Sequence, residues 1–256
     1  MKRIVILTSV RQGIASLVLP ALCANSKLDV VCVILANSVC VNKMRLVRRK
    51  LQKIARIGVL GAINGVRLRK WYREGAVDIE DVCRDLGVRF SEAASINSDQ
   101  TRALFHDSDA DLGLSLGNGY IPKSVFSIPR CGMINIHGEI LPRYQGAQAV
   151  IWPIFDGIRE TGFTIHQIDS RIDTGQILYQ EKIPIRFRPR LRETVEGSLA
   201  LTMERIPSAF SYVCENFERL REDAVSQKVG VPYTTPTYWQ FLKMMRNNRA
   251  LYERAE

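Results

Sequence analysis

The stretch GMINIHGEILPRYQG, residues 132–146, decides how this chain is read. Its opening alternates in character as a strand does, and on an extended strand residues two apart share a face. Asn135 and His137 therefore project together, while Ile134 and Ile136 face the opposite side. His137 closes the strand, Gly138 lets the backbone turn away, and Pro142 and Gly146 fix a loop that cannot continue it. In α/β proteins ligands gather at the carboxyl ends of strands. An amide beside an imidazole at such an end either serves catalysis or satisfies loop backbone groups.

Apolar alternations recur on both sides of this stretch: RIVILT (3–8), DVVCVILA (29–36), DLGLSLG (111–117), GFTIHQID (162–169) and QILYQEKIPI (176–185). Helix-period segments lie between several of them, at about 14–25, 44–57, 78–86, 98–106, 146–157 and 191–222. This alternation predicts an α/β fold: a Rossmann-like, mostly parallel sheet flanked by helices. Residues 1–205 are read as one catalytic-type domain carrying a basic helical insertion at about 40–76. Residues 206–256 are read as a short helical C-terminal extension, entered through the irregular VPYTTPTYW.

Composition narrows the class. The chain has 256 residues, 46% of them hydrophobic, enough for a full core. No apolar run approaches the roughly 18 residues of a membrane span, and MKRIVILTSVRQG reads as a first strand rather than a leader. Cys23, Cys32, Cys40, Cys83, Cys131 and Cys214 are scattered without metal-ligand spacing, the usage of small buried hydrophobes in a reduced compartment. No metal is expected, and the cytoplasm is the expected location. The net charge of +10 comes from one segment: Lys43 to Arg73 holds eleven Lys and Arg and no acid.

A second strand, GFTIHQID, runs into SRIDTGQ, a loop with Asp169 and Asp173 ahead of Gly175. An amide, an imidazole and a carboxylate brought together from two strand ends suit acyl transfer to an amine. Donors can hold an oxyanion, and the imidazole and carboxylate can manage the amine's proton. His166 within the strand reads as a structural histidine, and His106 as a solvated residue near a helix end.

INIHGEILPRYQG followed by GFTIHQIDSRIDTGQIL resembles the signature of the folate-dependent formyltransferases. The resemblance runs from about residue 80 to 205, and the family's Asn-x-His and aspartate match Asn135, His137 and Asp173. It implies N10-formyltetrahydrofolate as donor, with Asn135 and His137 at the oxyanion and Asp173 orienting His137 or taking the ammonium proton. It implies a pterin held by Leu116, Gly117, Asn118, Gly119, Tyr120 and Ile121 on one side. Asp169, Ser170, Arg171 and Ile172 would hold it on the other.

The family's branches differ in their acceptor. The tRNA enzymes carry a C-terminal barrel for which the residues after the core are too few. The glycinamide ribonucleotide enzymes carry a glycine-rich first loop where this chain has TSVRQG. The layout is nearest to the nucleotide-sugar N-formyltransferases. The implied acceptor is a nucleoside-diphosphate-linked amino sugar, as in O-antigen and lipopolysaccharide biosynthesis. Acceptor contacts are expected from Ser9, Arg11, Gln12, Gly138, Glu139, Tyr144, Gln145 and Trp152. Tyr233, Tyr238 or Trp239 are candidates to stack a base. A tRNA or glycinamide ribonucleotide acceptor, and a non-catalytic binding protein on the same fold, stay as alternatives. Nucleic acid is disfavoured as a partner, peripheral membrane contact through the basic segment stays open, and a homodimer is expected.

Overall fold

A computed structural model describes residues 1–38, 43–72, 77–146, 148–228, 230 and 232–254, excepting the side chains of residues 43, 45, 46 and 49. The ends of the basic insertion at 40–42 and 73–76, Cys40 among them, lie outside the described residues. In chain order the elements are β1 (Lys2–Thr8), α1 (Ile14–Cys23), β2 (Leu28–Ala36), α2 (Lys43–Trp71), α3 (Ile79–Leu86), β3 (Phe90–Ala93), α4 (Asp99–Ser108) and β4 (Leu112–Ser115). There follow α5 (Lys123–Phe126), β5 (Met133–His137), α6 (Ile151–Phe155), β6 (Glu160–Gln167), β7 (Ile177–Pro184), α7 (Leu191–Glu215), α8 (Phe217–Glu222) and α9 (Tyr238–Glu253).

The strands form one sheet in the order β3-β2-β1-β4-β5-β6-β7. All pairs are parallel as far as β5, and β6 and β7 add on antiparallel. β1 shows why both faces are covered. Its side chains alternate, Ile4 and Ile6 packing into the cluster under α1, α3 and α7, Val5 and Leu7 into the one under α4 and α5. A third cluster joins α2, α6 and α9 around Leu68, Trp152 and Phe241.

Several elements depart from the sequence expectation. β3 was not anticipated, because RFSEA is short and half polar, as an edge strand can be. The helix expected over 146–157 contracts to α6, since Gly146 and Val150 sit at φ +63° and +69°, outside helical space. The helix expected over 191–222 breaks at Asn216 into α7 and α8. The basic helix runs on to Trp71, but with Gly58 at φ +75° and ψ +167°, a conformation open essentially to glycine alone. Residue 205 falls inside α7, whose later residues Ile206, Phe210 and Val213 belong to the main core.

Candidate active site

The chain leaves β1 for one side of the sheet and returns at β4 on the other, so the loops after Thr8 and Ser115 diverge at a switch point, where α/β sheets open a crevice. Asn118 ties the two loops together. Its Nδ2 donates to the Leu7 carbonyl at 2.6 Å and the Ser115 hydroxyl at 3.2 Å, and its Oδ1 accepts from Ser9 Oγ at 2.9 Å. Ser9 is thus an internal brace and not an open acceptor contact.

β5 continues the crevice. Ser115 pairs with Asn135 on one flank, and His166 of β6 pairs with Asn135 on the other. Direct cross-strand partners share a face, so His166 joins Asn135 and His137 in one cleft. Asn135 Nδ2 lies 3.4 Å from His166 Nε2.

The expectation of two strand ends meeting at one edge is corrected here. β6 runs antiparallel to β5, so its carboxyl end lies beside the start of β5, Gln167 opposite Ile134. The carboxylate arrives because residues 168–176 fold back. Thr174 Oγ1 donates to both Asp169 oxygens at 2.8 and 2.9 Å, and the Arg171 amide donates to Oδ1 at 2.9 Å. Gly175 then packs against the β6 backbone so closely that a Cβ would stand 1.8 Å from the Gln167 carbonyl oxygen. Closed this way, the loop holds Asp173 at φ +55° with Oδ2 3.2 Å from the Gly146 amide, which donates to it. Oδ2 is 3.4 Å from His137 Nδ1, and Oδ1 is 3.7 Å from His166 Nε2.

The protons follow from these partners. His137 Nε2 sits 2.6 Å from the Tyr144 carbonyl, which can only accept, so Nε2 carries a hydrogen. Burial pulls the His137 imidazole below its ordinary value, with Asp173 and the Tyr144 carbonyl opposing and His166 adding to the fall. For Asp173, burial pushes upward. The His166 hydrogen bond, the charges of His137 and His166, and the Gly146 amide together outweigh it, and the carboxyl stays below its ordinary value. The resting pair is a carboxylate facing the lone pair of a neutral imidazole.

Two clefts meet at Ile136. The smaller, about 320 Å³, takes in Asn118 to Ile121, Asn135, His137, His166 and the loop from Asp169 to Asp173. The larger, about 1370 Å³, opens beside Arg11, Gln12 and Gly138 and is walled by Trp71, Tyr72 and the α7 residues Leu199 and Met203. Of the expected pterin contacts, Leu116 is wholly in the core, Gly117 faces the larger cleft, and Ser170 is absent from the lining of either.

Four expected acceptor contacts are structural. Glu139 is 0% exposed and accepts from the Val150 amide at 2.6 Å and Thr161 Oγ1 at 2.7 Å. Tyr144 is buried with its hydroxyl on Asp156, and Gln145 holds the chain at Lys228 and Gly230. Trp152 is buried against Tyr233, their ring centroids 4.8 Å apart. Arg11 lines the larger cleft, but its guanidinium is paired with Asp78, Glu80 and Glu92. Tyr233, Tyr238 and Trp239 line neither cleft. The aromatic residues that do are Trp71 and Tyr72 at the end of the basic insertion and Tyr120, of which sequence reasoning singled out only the last. Among the described residues no cluster of His, Cys, Asp or Glu could hold a metal ion, and no helix is long and apolar enough to cross a membrane.

Residues 102–201 match the family model described as Formyl transferase. A methionyl-tRNA formyltransferase from Deinococcus radiodurans is 45% identical over 85 residues, which cover 33% of this chain and 27% of that protein. The chain spans about a third or less of the length of the curated relatives it matches. Among solved structures, glycinamide ribonucleotide transformylase 1 from Symbiobacterium toebii aligns with a TM-score of 0.54 at 19% identity, over 84% of this chain and 89% of its own. WlaRD, a sugar 3N-formyl transferase solved in the presence of dTDP and 5-N-formyl-THF, aligns with a TM-score of 0.54 at 16% identity, over 98% of this chain and 79% of its own. By family match and by fold, the chain resembles the formyltransferases, and the matched segment is the one that carries Asn135, His137 and Asp173.

Proposed function

We propose that the chain transfers a formyl group from N10-formyltetrahydrofolate to the amine of a nucleoside-diphosphate-linked amino sugar. The observation that carries formyl transfer is the convergence of the Asn135 amide, the neutral His137 imidazole and the Asp173 carboxylate where two clefts join. The smaller cleft suits a flat heterocycle: Ile121 and Ile168 offer apolar faces, while Ser115, Asn118 and Asp169 offer donors and acceptors. When bound there, the folate supplies the formyl carbon and the leaving nitrogen.

The chain's own part is to move one proton and hold one charge. An amine entering from the larger cleft meets His137 Nδ1 and Asp173, both acceptors, and gives up its proton to them as the new carbon–nitrogen bond forms. The departing nitrogen of the donor receives a proton in turn. Asn135 Nδ2 is the donor for the oxyanion, a contribution of about 10²–10³ in turnover, and the proton transfer is worth roughly 10²–10⁴. This refines the role expected of His137. With Nε2 committed to Tyr144, it supports the oxyanion only after Nδ1 has been protonated.

For the acceptor, two features favour a nucleotide sugar. The fold alignment with the sugar enzyme WlaRD extends over nearly the whole chain. The larger cleft is also lined by residues 10–14, where α1 begins with no side-chain cap and no acid in its first turn. Backbone amides at a helix start suit a phosphate group, which matters because Arg11 is occupied. Methionyl-tRNA is the second reading, favoured by the 45% identity to the Deinococcus radiodurans enzyme.

The test supplies the formyl donor with dTDP-, UDP- and GDP-linked amino sugars, glycinamide ribonucleotide and charged initiator tRNA, and follows tetrahydrofolate release. Turnover of one or more sugars alone is the expected result. Turnover of tRNA alone would reject the acceptor class, and donor binding without any turnover would reject formyl transfer.

A further inference from the structure

The first part of α2, up to Arg56, stands away from the fold, and Ile57 is the first of its described side chains to be buried. Every described side chain from Val47 to Arg56 is exposed. With about 100° between successive residues, Val47, Leu51 and Ile54 fall on one narrow arc, exposed to 56%, 61% and 40%. Arg48 and Lys50 flank that arc, and Lys53 and Arg56 lie behind it. No acidic residue occurs between Lys43 and Trp71, so the ten Lys and Arg of that span have no acidic partner within it. Partial burial and then the like charges of Arg69 and Arg56 pull Lys53 below its ordinary value. The arm is nevertheless anchored. Beyond Gly58, Leu68 is fully buried, and Gly61 packs against the Pro236 carbonyl.

The chemistry of this face selects its partner. A second copy would set seven cations against seven. A nucleic acid would satisfy the cations and leave the aliphatic stripe in water. An anionic bilayer surface takes both, the stripe at the acyl boundary and the cations among the headgroups. We propose that the outer face of residues 43–56 docks this protein on anionic membrane surfaces. The same element ends at Trp71 in the wall of the larger cleft, so docking and acceptor cleft are joined by one helix pair. The proposal does not depend on the identity of the acceptor.

Co-sedimentation of the full chain with vesicles tests it. Binding is expected to phosphatidylcholine vesicles containing phosphatidylglycerol and not to phosphatidylcholine alone. Each cation near the surface is worth roughly fivefold, so Arg48→Gln, Lys50→Gln and Lys53→Gln combined should weaken binding about a hundredfold. Val47→Ser, Leu51→Ser and Ile54→Ser combined should also release the protein, with its circular dichroism and donor binding unchanged. Absence of binding to the anionic vesicles would overturn the proposal. So would binding that the serine variant retains in full, or a preference for duplex or single-stranded nucleic acid over vesicles at the same salt.

Discussion

His137 and Asp173 face each other through two acceptors, Nδ1 lying 3.4 Å from Oδ2 while Nε2–H is committed to the Tyr144 carbonyl at 2.6 Å. A neutral imidazole in that pose has only a lone pair to show the carboxylate. The gap between them therefore favours any group that brings a proton, and an attacking amine is such a group.

Replacing Asp173 by Asn tests this pairing. The amide keeps the shape and can still meet Gly146, but it removes the negative charge beside Nδ1. Turnover should fall by about 10²–10⁴ while the protein stays folded. The pH profile adds a second readout. His137 must be neutral to accept, and its titration already lies below the ordinary histidine value, so kcat/KM should fall as pH drops through that low value. Asp173 raises His137, so the Asn variant should carry this acid limb to still lower pH. A limb that stays in place would reject His137 as the group that titrates.

Asn135→Ala removes a neutral side-chain donor from the lining of the smaller cleft, beside His137. Turnover should drop about 10²–10³, with little change in the affinity for the folate. Steady-state kinetics at saturating acceptor separates the two. A loss appearing only in donor KM would mean that Asn135 binds rather than stabilises charge.

Much of this site was legible in the sequence, and the reasons differ by residue. Asn135 and His137 follow from strand periodicity at a strand end, which is local. The loop carboxylates Asp169 and Asp173 are visible in the sequence, but only the resemblance separates Asp173 from Asp169. Its approach depends on a loop folding back along an antiparallel strand, and the direction of β6 is not written in GFTIHQID. His166 was read as structural since nothing local says which residue of β5 it opposes. Glu139, Tyr144, Gln145 and Trp152 went the other way. They sit next to the motif in sequence, yet their loop turns inward and buries them, leaving Trp71 and Tyr72 from a distant insertion to wall the cleft. β3, short and half polar, gave too little periodicity to be seen.

Gly175→Ala probes the fold-back itself. A Cβ there would stand 1.8 Å from the Gln167 oxygen, so the loop has to shift away from β6. The shift should cost about 1–3 kcal/mol of stability, as forced overpacking does. It should also cost activity, because Asp173 moves with the loop. Thermal unfolding and turnover measured on the same variant should fall together, and an unchanged turnover would separate the loop's closure from the position of Asp173.

Glu139 links the loop after β5 to pH through stability rather than chemistry. Its carboxyl is sealed beneath the loop, and burial pushes it up to about 7, against the donors Thr161, Val150 and Ile140, which pull it down. A group raised in the folded state contributes stability that is complete below its unfolded value and is lost as pH climbs through the folded one. The window is therefore from about 4.5 to about 7, and the contribution is on the order of 3 kcal/mol. Asp173 works in the opposite sense at lower pH, below its ordinary value, so the two windows do not overlap. Glu139→Gln keeps an acceptor for Val150 and Thr161 without the charge. Its melting temperature relative to the unmodified protein should rise steadily as pH is raised from 5 to 8 across the Glu139 window, with little difference at the acid end. Glu139→Ala instead leaves two buried donors unmet and should be destabilised at every pH, by about 2–5 kcal/mol. A Gln variant with the same pH slope as the unmodified protein would show that another group titrates in this range.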